Sequence, residues 1–459
     1  MITVLENVYI AILAPFLKYS KKLDEKTKHI LLIMAFVCMN LLYLAYRLLK
    51  QDRNYYIYNI FGIIIMAAII FFSLDEKLEQ VKYRKPAMFS WILLGLTMMI
   101  SDYFFRKTYF GIGFLLLFGF TMIGFVWANH SNKEKLWMAF IQGTRFSFLG
   151  FTLFALLFRP RAVGARYAGI FINPNILGLY LITVFACYLI LIEKAIKENT
   201  SLRKSSVLFI EIGMGMFFLF MTQARTSMLA TALAAIAWFA IRLAISRRQK
   251  NLKVFWKYIL CCIIGIVIMF PICYKALEII PNAVDHPVKY QYDQTYAKLD
   301  NSVTVLAADA KKDSTLTRFL TTSDNNLVEH LLNGRLAIYK DYAKKITLFG
   351  RNGFSSRNSV TKEKYIHAHN NILQMGYTYG VFAMVAYIVL AVIGVITALI
   401  YWIKHDGEKN FAALPFIIMI TFHMASMTET IAIPFLSFPA FVYYLCMSDF
   451  IFKKGVRHE

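Results

Sequence analysis

Residues Lys364–Gly380, KYIHAHNNILQMGYTYG, place His367, His369 and Asn370 directly before an uncharged apolar run. Imidazole takes up and releases protons near neutral pH, so a histidine at such a lip can act as a general base. It can also bind metal, because the i,i+2 spacing puts both rings on one face of an extended strand. No third ligand with suitable spacing is apparent in the sequence, so the base reading of His369 is preferred and no metal is expected. A plain solvated His-x-His is the remaining reading.

Three arginines have a different potential. In RYAGIFINPNILGLYL, Asn173 is a suitable N-cap with Pro174 at the first helical position, and Arg166 lies just before it. In MTQARTSMLATALA, Thr222 is the expected cap and Arg225 falls in the first turn. In NGRLAIYKDYAKKI, Asn333-Gly334 is the start signal, Arg335 falls in the first turn, and Leu336, Tyr339, Ala343 and Ile346 share one helical stripe. A helix N-terminus offers unpaired N–H groups and partial positive charge, and a guanidinium beside it fits phosphate oxygens bidentately. An anionic site is therefore expected. Taken singly, each arginine reads equally well as an anchor to lipid headgroups. Arg159 and Arg161 are assigned to headgroups or substrate steering without preference.

The elements that must carry these residues are membrane helices. Hydrophobic residues make up 58% of the 459 and charged residues 17%, with mean hydropathy +0.53, which excludes an ordinary soluble domain. Uncharged apolar runs near the ~20 residues a bilayer requires occur at about 30–46, 55–74, 87–101, 108–128, 136–158, 175–192, 206–221, 226–241, 258–274, 375–403, 411–428 and 430–448. The fold class is thus an all-α polytopic membrane protein of about twelve transmembrane helices. The first twenty residues read as an amphipathic lead-in and not a cleaved signal, because they lack a basic n-region. Asn371 to Ile403 reads as one helix of ~50 Å whose top protrudes above the ~30 Å hydrocarbon core, with Asn370 or Asn371 as its cap.

Basic residues set the orientation. With the N-terminus inside, cytoplasmic segments carry 26 Lys and Arg and the short outer loops 9, as the positive-inside rule requires. The formal charge of +23 is accordingly a topology signal, and a nucleic-acid partner is not expected. The same count puts the long hydrophilic segment 275–370, with 14 Lys/Arg and 10 Asp/Glu, outside the cytoplasm between spans nine and ten. The chain then divides into 1–274 (nine spans), 275–370 (an extracytoplasmic loop subdomain) and 371–459 (three spans and a short cytoplasmic tail). Residues Asp285 to Asn326 are expected to be mobile or to set specificity. All six cysteines lie in or at the ends of spans, so no disulfide framework is expected. Within the spans, Arg145 and Glu211 are expected to be structural and His423 to be a satisfied packing residue.

A multi-span chain with a large outer loop, GIFINPNILGLYL opening the sixth span, TQARTS opening the eighth, NGRLAIYKDYAKK in the loop and HAHNNILQMGYTYG before the tenth resembles the O-antigen ligase and polysaccharide polymerase (Wzy-type) superfamily. The resemblance covers most of residues 160 to 450. One departure is Gly350-Arg351-Asn352-Gly353 where the family has a tight Gly-x-Gly. The resemblance implies an enzyme without metal or cofactor at the outer face of the plasma (inner) membrane. It would move a glycan from undecaprenyl diphosphate to a sugar hydroxyl, with inversion. His369 matches the family's histidine and is the implied base. Arg166, Arg225 and Arg335 would bind the diphosphate, and Asn175, His367 and Asn370 are secondary candidates. Implied partners are the undecaprenyl-diphosphate-linked oligosaccharide, a glycan acceptor, the bilayer, and a flippase and chain-length regulator of the same pathway. A polymerase for capsule, exopolysaccharide or O-antigen is preferred. The alternatives are a ligase delivering a finished glycan to a lipid, wall polymer or protein, and a lipid-glycan transporter. Transporters invest their polar groups at the bilayer midplane, whereas here they lie at the outer face.

Overall fold

In hydrocarbon every backbone N–H and C=O must be paired within its own segment, and the apolar runs accordingly fold as helices. A computed structural model describes residues 2–48, 55–106, 111–291, 335–357, 364–406, 410–431 and 433–453. In chain order the helices are α1 (Ile2–Ser20), α2 (Glu25–Leu48), α3 (Tyr55–Phe72), α4 (Lys85–Ser101), α5 (Ile112–Asn129), α6 (Lys133–Phe158), α7 (Pro174–Lys197) and α8 (Leu202–Thr222). There follow α9 (Arg225–Arg248), α10 (Leu252–Ala283), α11 (Leu336–Lys344), α12 (Asn371–Tyr379), α13 (Val381–His405), α14 (Leu414–Ser426) and α15 (Phe438–Ile451). Among the described residues nine helices are long and apolar enough to cross a membrane, and three shorter apolar ones coincide with further expected spans. The protein is an all-α polytopic membrane protein. Its strands are short: β1 (Lys82–Tyr83) pairs with β7 (Phe452–Lys453), β2 (Arg161–Val163) lies between β3 (Arg166–Gly169) and β4 (Lys289–Gln291), and β5 (Ser356–Arg357) pairs with β6 (Lys364–Tyr365).

The chain forms two units, Met1–Ser147 with Ile338–Glu459, and Phe148–Ala337. The first has an aromatic core in which Trp91 donates to Thr121 Oγ1 (3.0 Å) and Trp127 to Ser73 Oγ (3.1 Å), so that each buried indole N–H is paired. His423 packs there against Tyr387, Phe422 and Tyr443, but its Nε2 is buried without a hydrogen-bond partner among the described residues, unlike the satisfied residue expected.

In the second unit α8 and α10 approach closely through glycines. A Cβ on Gly213 would lie 2.4 Å from Gly265 O, and one on Gly265 2.5 Å from Phe209 O. α10 leaves Ile263, Val267, Ile268 and Ile272 exposed, an apolar face suited to lipid. This unit also holds an ion pair just beyond the uncharged apolar runs. Glu193 and Arg242 lie in α7 and α9 with side chains 0% exposed and 3.2 Å apart, and Trp238 donates to the second carboxylate oxygen at 3.0 Å.

Two expectations about the last spans are corrected. The tenth is broken: Gly380, at φ +96°, separates α12 from α13, and the Val381 N–H turns away from the helix to Thr347 O at 3.0 Å. The last begins at Phe438, leaving a non-helical stretch after α14, with Ser437 as N-cap and Pro439 in the first turn where a missing N–H costs nothing.

Candidate active site

His369 stands in a turn immediately before α12. Asn370 is the N-cap, its Oδ1 accepting the Leu373 N–H at 3.0 Å, while its Nδ2 donates to Met427 O at 2.9 Å. Asn371 continues the tie, accepting the Ile431 N–H at 2.7 Å and donating to Tyr387 Oη at 3.3 Å. One short asparagine pair thus starts the helix and also fixes the stretch after α14 beside it. That stretch carries Glu429, whose Oε2 lies 3.3 Å from His369 Nδ1, the two side chains being 11% and 28% exposed.

A carboxylate can only accept, so this contact assigns the proton to Nδ1 and leaves the lone pair on Nε2. The backbone is held equally firmly. His369 takes φ +51°, a left-handed conformation that is unfavourable for most residues and less so for histidine. Tyr339 from α11 donates to both His369 O (3.0 Å) and Met427 O (3.2 Å), locking that turn. The preceding Ala368 N–H is taken by Gln374 Oε1 at 2.8 Å. His367 supports its neighbour: its Nδ1 accepts the His369 N–H at 3.3 Å and the two ring centres are 4.0 Å apart. Among the described residues no group of three or more His, Cys, Asp or Glu is placed to hold a metal ion.

Beneath the turn lies a small core of Tyr342, Ala368 and Tyr377, with Ile338 and Leu373 packed against it. α11 therefore buries Tyr342 and leaves Ala343 exposed, which corrects the expected stripe. Asp341 is drawn in by Lys345 at 2.8 Å and Ser356 Oγ at 3.0 Å, which rotates the helix from its purely apolar phase. Burial raises the Tyr342 hydroxyl pKa above the ordinary tyrosine value, so it remains a donor to Phe354 O, 2.9 Å away. Gly350 and Gly353 both have positive φ. A Cβ on Gly350 would meet Thr378 O at 2.2 Å, so this glycine seats the connection against the α12–α13 break.

The arginines of the second unit are arranged as follows. Asn173 caps α7, accepting the Asn175 N–H at 2.8 Å, with Pro174 in the first turn as expected. Arg166, in β3, donates through Nη2 to Asn175 Oδ1 and through Nε to Thr222 O at 2.9 Å. Thr222 is the last residue of α8 and not the cap of α9. The chain reverses through Gln223 in the left-handed region, Thr222 Oγ1 accepts the Ala224 N–H at 3.1 Å, and Arg225 is the first residue of α9. α7 and α9 close together there because Gly178 faces Ala224 and Ser227, where a Cβ would come within 2.8 Å of each side chain. Arg166, Asn175 and the turn leading to Arg225 are thus assembled in one place. Arg335 lies directly before α11, one residue earlier than expected, and Asn333-Gly334 and the proposed specificity segment from residue 292 onward fall outside the described residues. A cavity of about 660 Å³ elsewhere in the first unit, lined by Arg84, Trp137, Tyr401 and Asp449, includes none of the candidate residues.

Residues 212–388 match the family model described as O-Antigen ligase. This stretch is a domain of the O-antigen ligase superfamily. The O-antigen ligase domain contains Arg225, Arg335, His367, His369 and Asn370, whereas Arg166, Asn175 and Glu429 lie beyond its limits. No curated protein matches the chain. Glu429 was missed by the sequence reading, yet it had a signal: it is the lone charge between two apolar runs.

Proposed function

We propose that this protein is a polysaccharide polymerase. In this reading it transfers glycan repeat units from undecaprenyl diphosphate to a sugar hydroxyl at the outer face of the plasma membrane. The observation that carries this reading is the Glu429–His369 pair, in which an oriented imidazole is backed by a nearly buried carboxylate.

As the acceptor hydroxyl attacks the anomeric carbon, its O–H bond breaks and the proton passes to His369 Nε2. The new C–O bond forms as the bond from carbon to the diphosphate oxygen breaks from the opposite face, inverting the centre. The electron pair leaves with the diphosphate. Glu429 stabilises the imidazolium that forms. Arg166, Arg225 and Arg335 take the diphosphate charge, helped by the N-termini of α7 and α9. Asn370 and Asn371 position the base, Asn175 orients Arg166, and His367 packs against the base without receiving the proton. The charge-derived topology, with twelve spans and the 275–370 segment outside, supports an outward-facing reaction.

The test is a reconstituted reaction with lipid-diphosphate repeat units, scored as a ladder of chain lengths. His369→Ala is expected to lower transfer by about 10²–10⁴, the range for a positioned acid–base group, and His367→Ala to be much milder. A normal ladder from His369→Ala would remove the base assignment. Transfer of a single finished glycan to a non-repeat acceptor, with no ladder, would favour the ligase reading.

A further inference from the structure

The second unit has a basic cavity that the reaction above does not use. β2 and β3 form a hairpin whose two-residue turn is permitted by Gly164 at φ +57°, and Val163 pairs with Arg166 across it. On the other edge β4 runs parallel to β2 in a register that sets Arg161 directly opposite Lys289. Two like charges at strand spacing, about 4.8 Å, are destabilising by themselves. Arg159 is brought to the same edge by a tight turn over buried Pro160, in which the Arg161 N–H donates to Arg159 O at 2.9 Å. These residues, with His286 and Asp285, line a cavity of about 330 Å³. Asp285 takes φ +59° as the left-handed residue that ends α10, with the His286 N–H donating to Pro281 O at 2.8 Å. Two arginines and a lysine against one carboxylate leave two positive charges in excess, His286 apart.

We infer that this cavity binds an acidic substituent of the donor glycan, a carboxylate or phosphate on a sugar close to the diphosphate. The inference rests on the transferase reading for its substrate. Distance favours the glycan over a lipid headgroup. Along β2 from Arg161 to Val163 and across to Arg166 is about 8 Å between Cα atoms, roughly one to two sugar rings. Alternation along β2, which keeps regular register with β4, puts Arg161, Val163 and their partners Lys289 and Arg166 on one face, while the register with β3 shifts between Arg161 and Ala162 through the extra residue Ala168. A chain that leaves its diphosphate at Arg166 therefore passes this cavity with its first sugars. Asp285 gives the cavity an acceptor for the hydroxyls of the same sugar.

The test uses the full chain in detergent with two synthetic donors. These are polyprenyl-diphosphate disaccharides that differ only in carrying glucuronate or glucose as the sugar next to the diphosphate. Both affinity and transfer are measured. The parent protein is expected to bind the glucuronate donor at least tenfold more tightly, as charge-assisted contacts allow. Arg161→Gln with Lys289→Gln should bring the affinity ratio to about one, and Lys289→Arg, which keeps the charge, should preserve it. A preference that survives the double Gln variant, or no preference in the parent, overturns the inference. Abolition of the preference by phosphatidylglycerol but not phosphatidylcholine vesicles also overturns it, assigning the cavity to headgroups. Acid-selective binding without transfer of either donor keeps the cavity and removes the transferase reading. Transfer of both donors with equal affinity does the reverse.

Discussion

Replacing Glu429 by glutamine removes a charge while leaving an oxygen to accept the His369 Nδ1–H, so ring orientation and tautomer are retained and only the electrostatic support of the imidazolium is lost. With Nδ1 and Oε2 3.3 Å apart, the charge centres lie ~4 Å apart, and an effective dielectric constant near 20 gives about 4 kcal/mol. The histidine side chain is 28% exposed and the glutamate 11%, so solvent screening reduces this to about 2 kcal/mol, or about thirtyfold in rate. The loss belongs to kcat, because the imidazolium forms only as the proton is transferred, and KM for the donor should hardly move. Glu429→Ala, which also frees the ring, should cost more than about a hundredfold. Single-turnover transfer in proteoliposomes, normalised to protein in the membrane, measures both. A Glu429→Gln enzyme within about threefold of the parent would mean that the carboxylate only holds the 427–431 stretch in place and has no part in proton transfer.

Arg225→Lys and Arg335→Lys should each lose about a hundredfold, on the order of 3 kcal/mol, in the same assay, because a diphosphate needs the planar fork and not charge alone; unimpaired variants would make these residues headgroup anchors. Gly380→Ala should destabilise by several kcal/mol in thermal unfolding, since its Cβ would lie 2.2 Å from Leu348 O at a positive φ. Gly353→Ala, where none of the described residues comes within 4 Å, should cost only the backbone term of roughly 1–2 kcal/mol. Arg242→Met should cost about 3 kcal/mol by leaving the buried Glu193 charge with the Trp238 N–H at 3.0 Å and the more distant Lys197, 3.8 Å away, and adding Glu193→Gln should recover part of the loss, read as melting temperature in detergent.

Local signals in the sequence were sound where the chemistry was local. Asn173 with Pro174 and Asn370 before its helix both cap as their types require, because a cap is decided within three residues. The apolar runs became helices for an equally local reason. What the sequence concealed was set by partners far along the chain. Glu429 reaches His369 across 60 positions, and Glu193 and Arg242 are the charges at which their uncharged apolar runs end. The phase of α11 followed Asp341, an acidic residue that hydropathy places outside but Lys345 and Ser356 draw in. Gly380 was visible within YTYGVF, yet a lone glycine in an apolar run is tolerated as often as it breaks a helix. Here the segment Thr347–Gly350 packed against it decides the matter.

The break at Gly380 also uncouples His369 from the helix that follows. α13 alone is ~38 Å long, more than the ~30 Å hydrocarbon core, and tilting, by an amount that changes with membrane thickness, is one way such an excess is accommodated. If α12 were its rigid continuation, ~13 Å of helix swung through 20° would displace the His369 end sideways by roughly 4–5 Å, far more than the distance that separates a proton acceptor from its donor. With α12 fastened instead to Phe354 through Gln374 and to the 427–431 stretch through Asn370 and Asn371, thickness fluctuations are absorbed at the glycine. Histidine and carboxylate then move together, so the rate of proton transfer should be indifferent to acyl-chain length even where the stability of the protein is not.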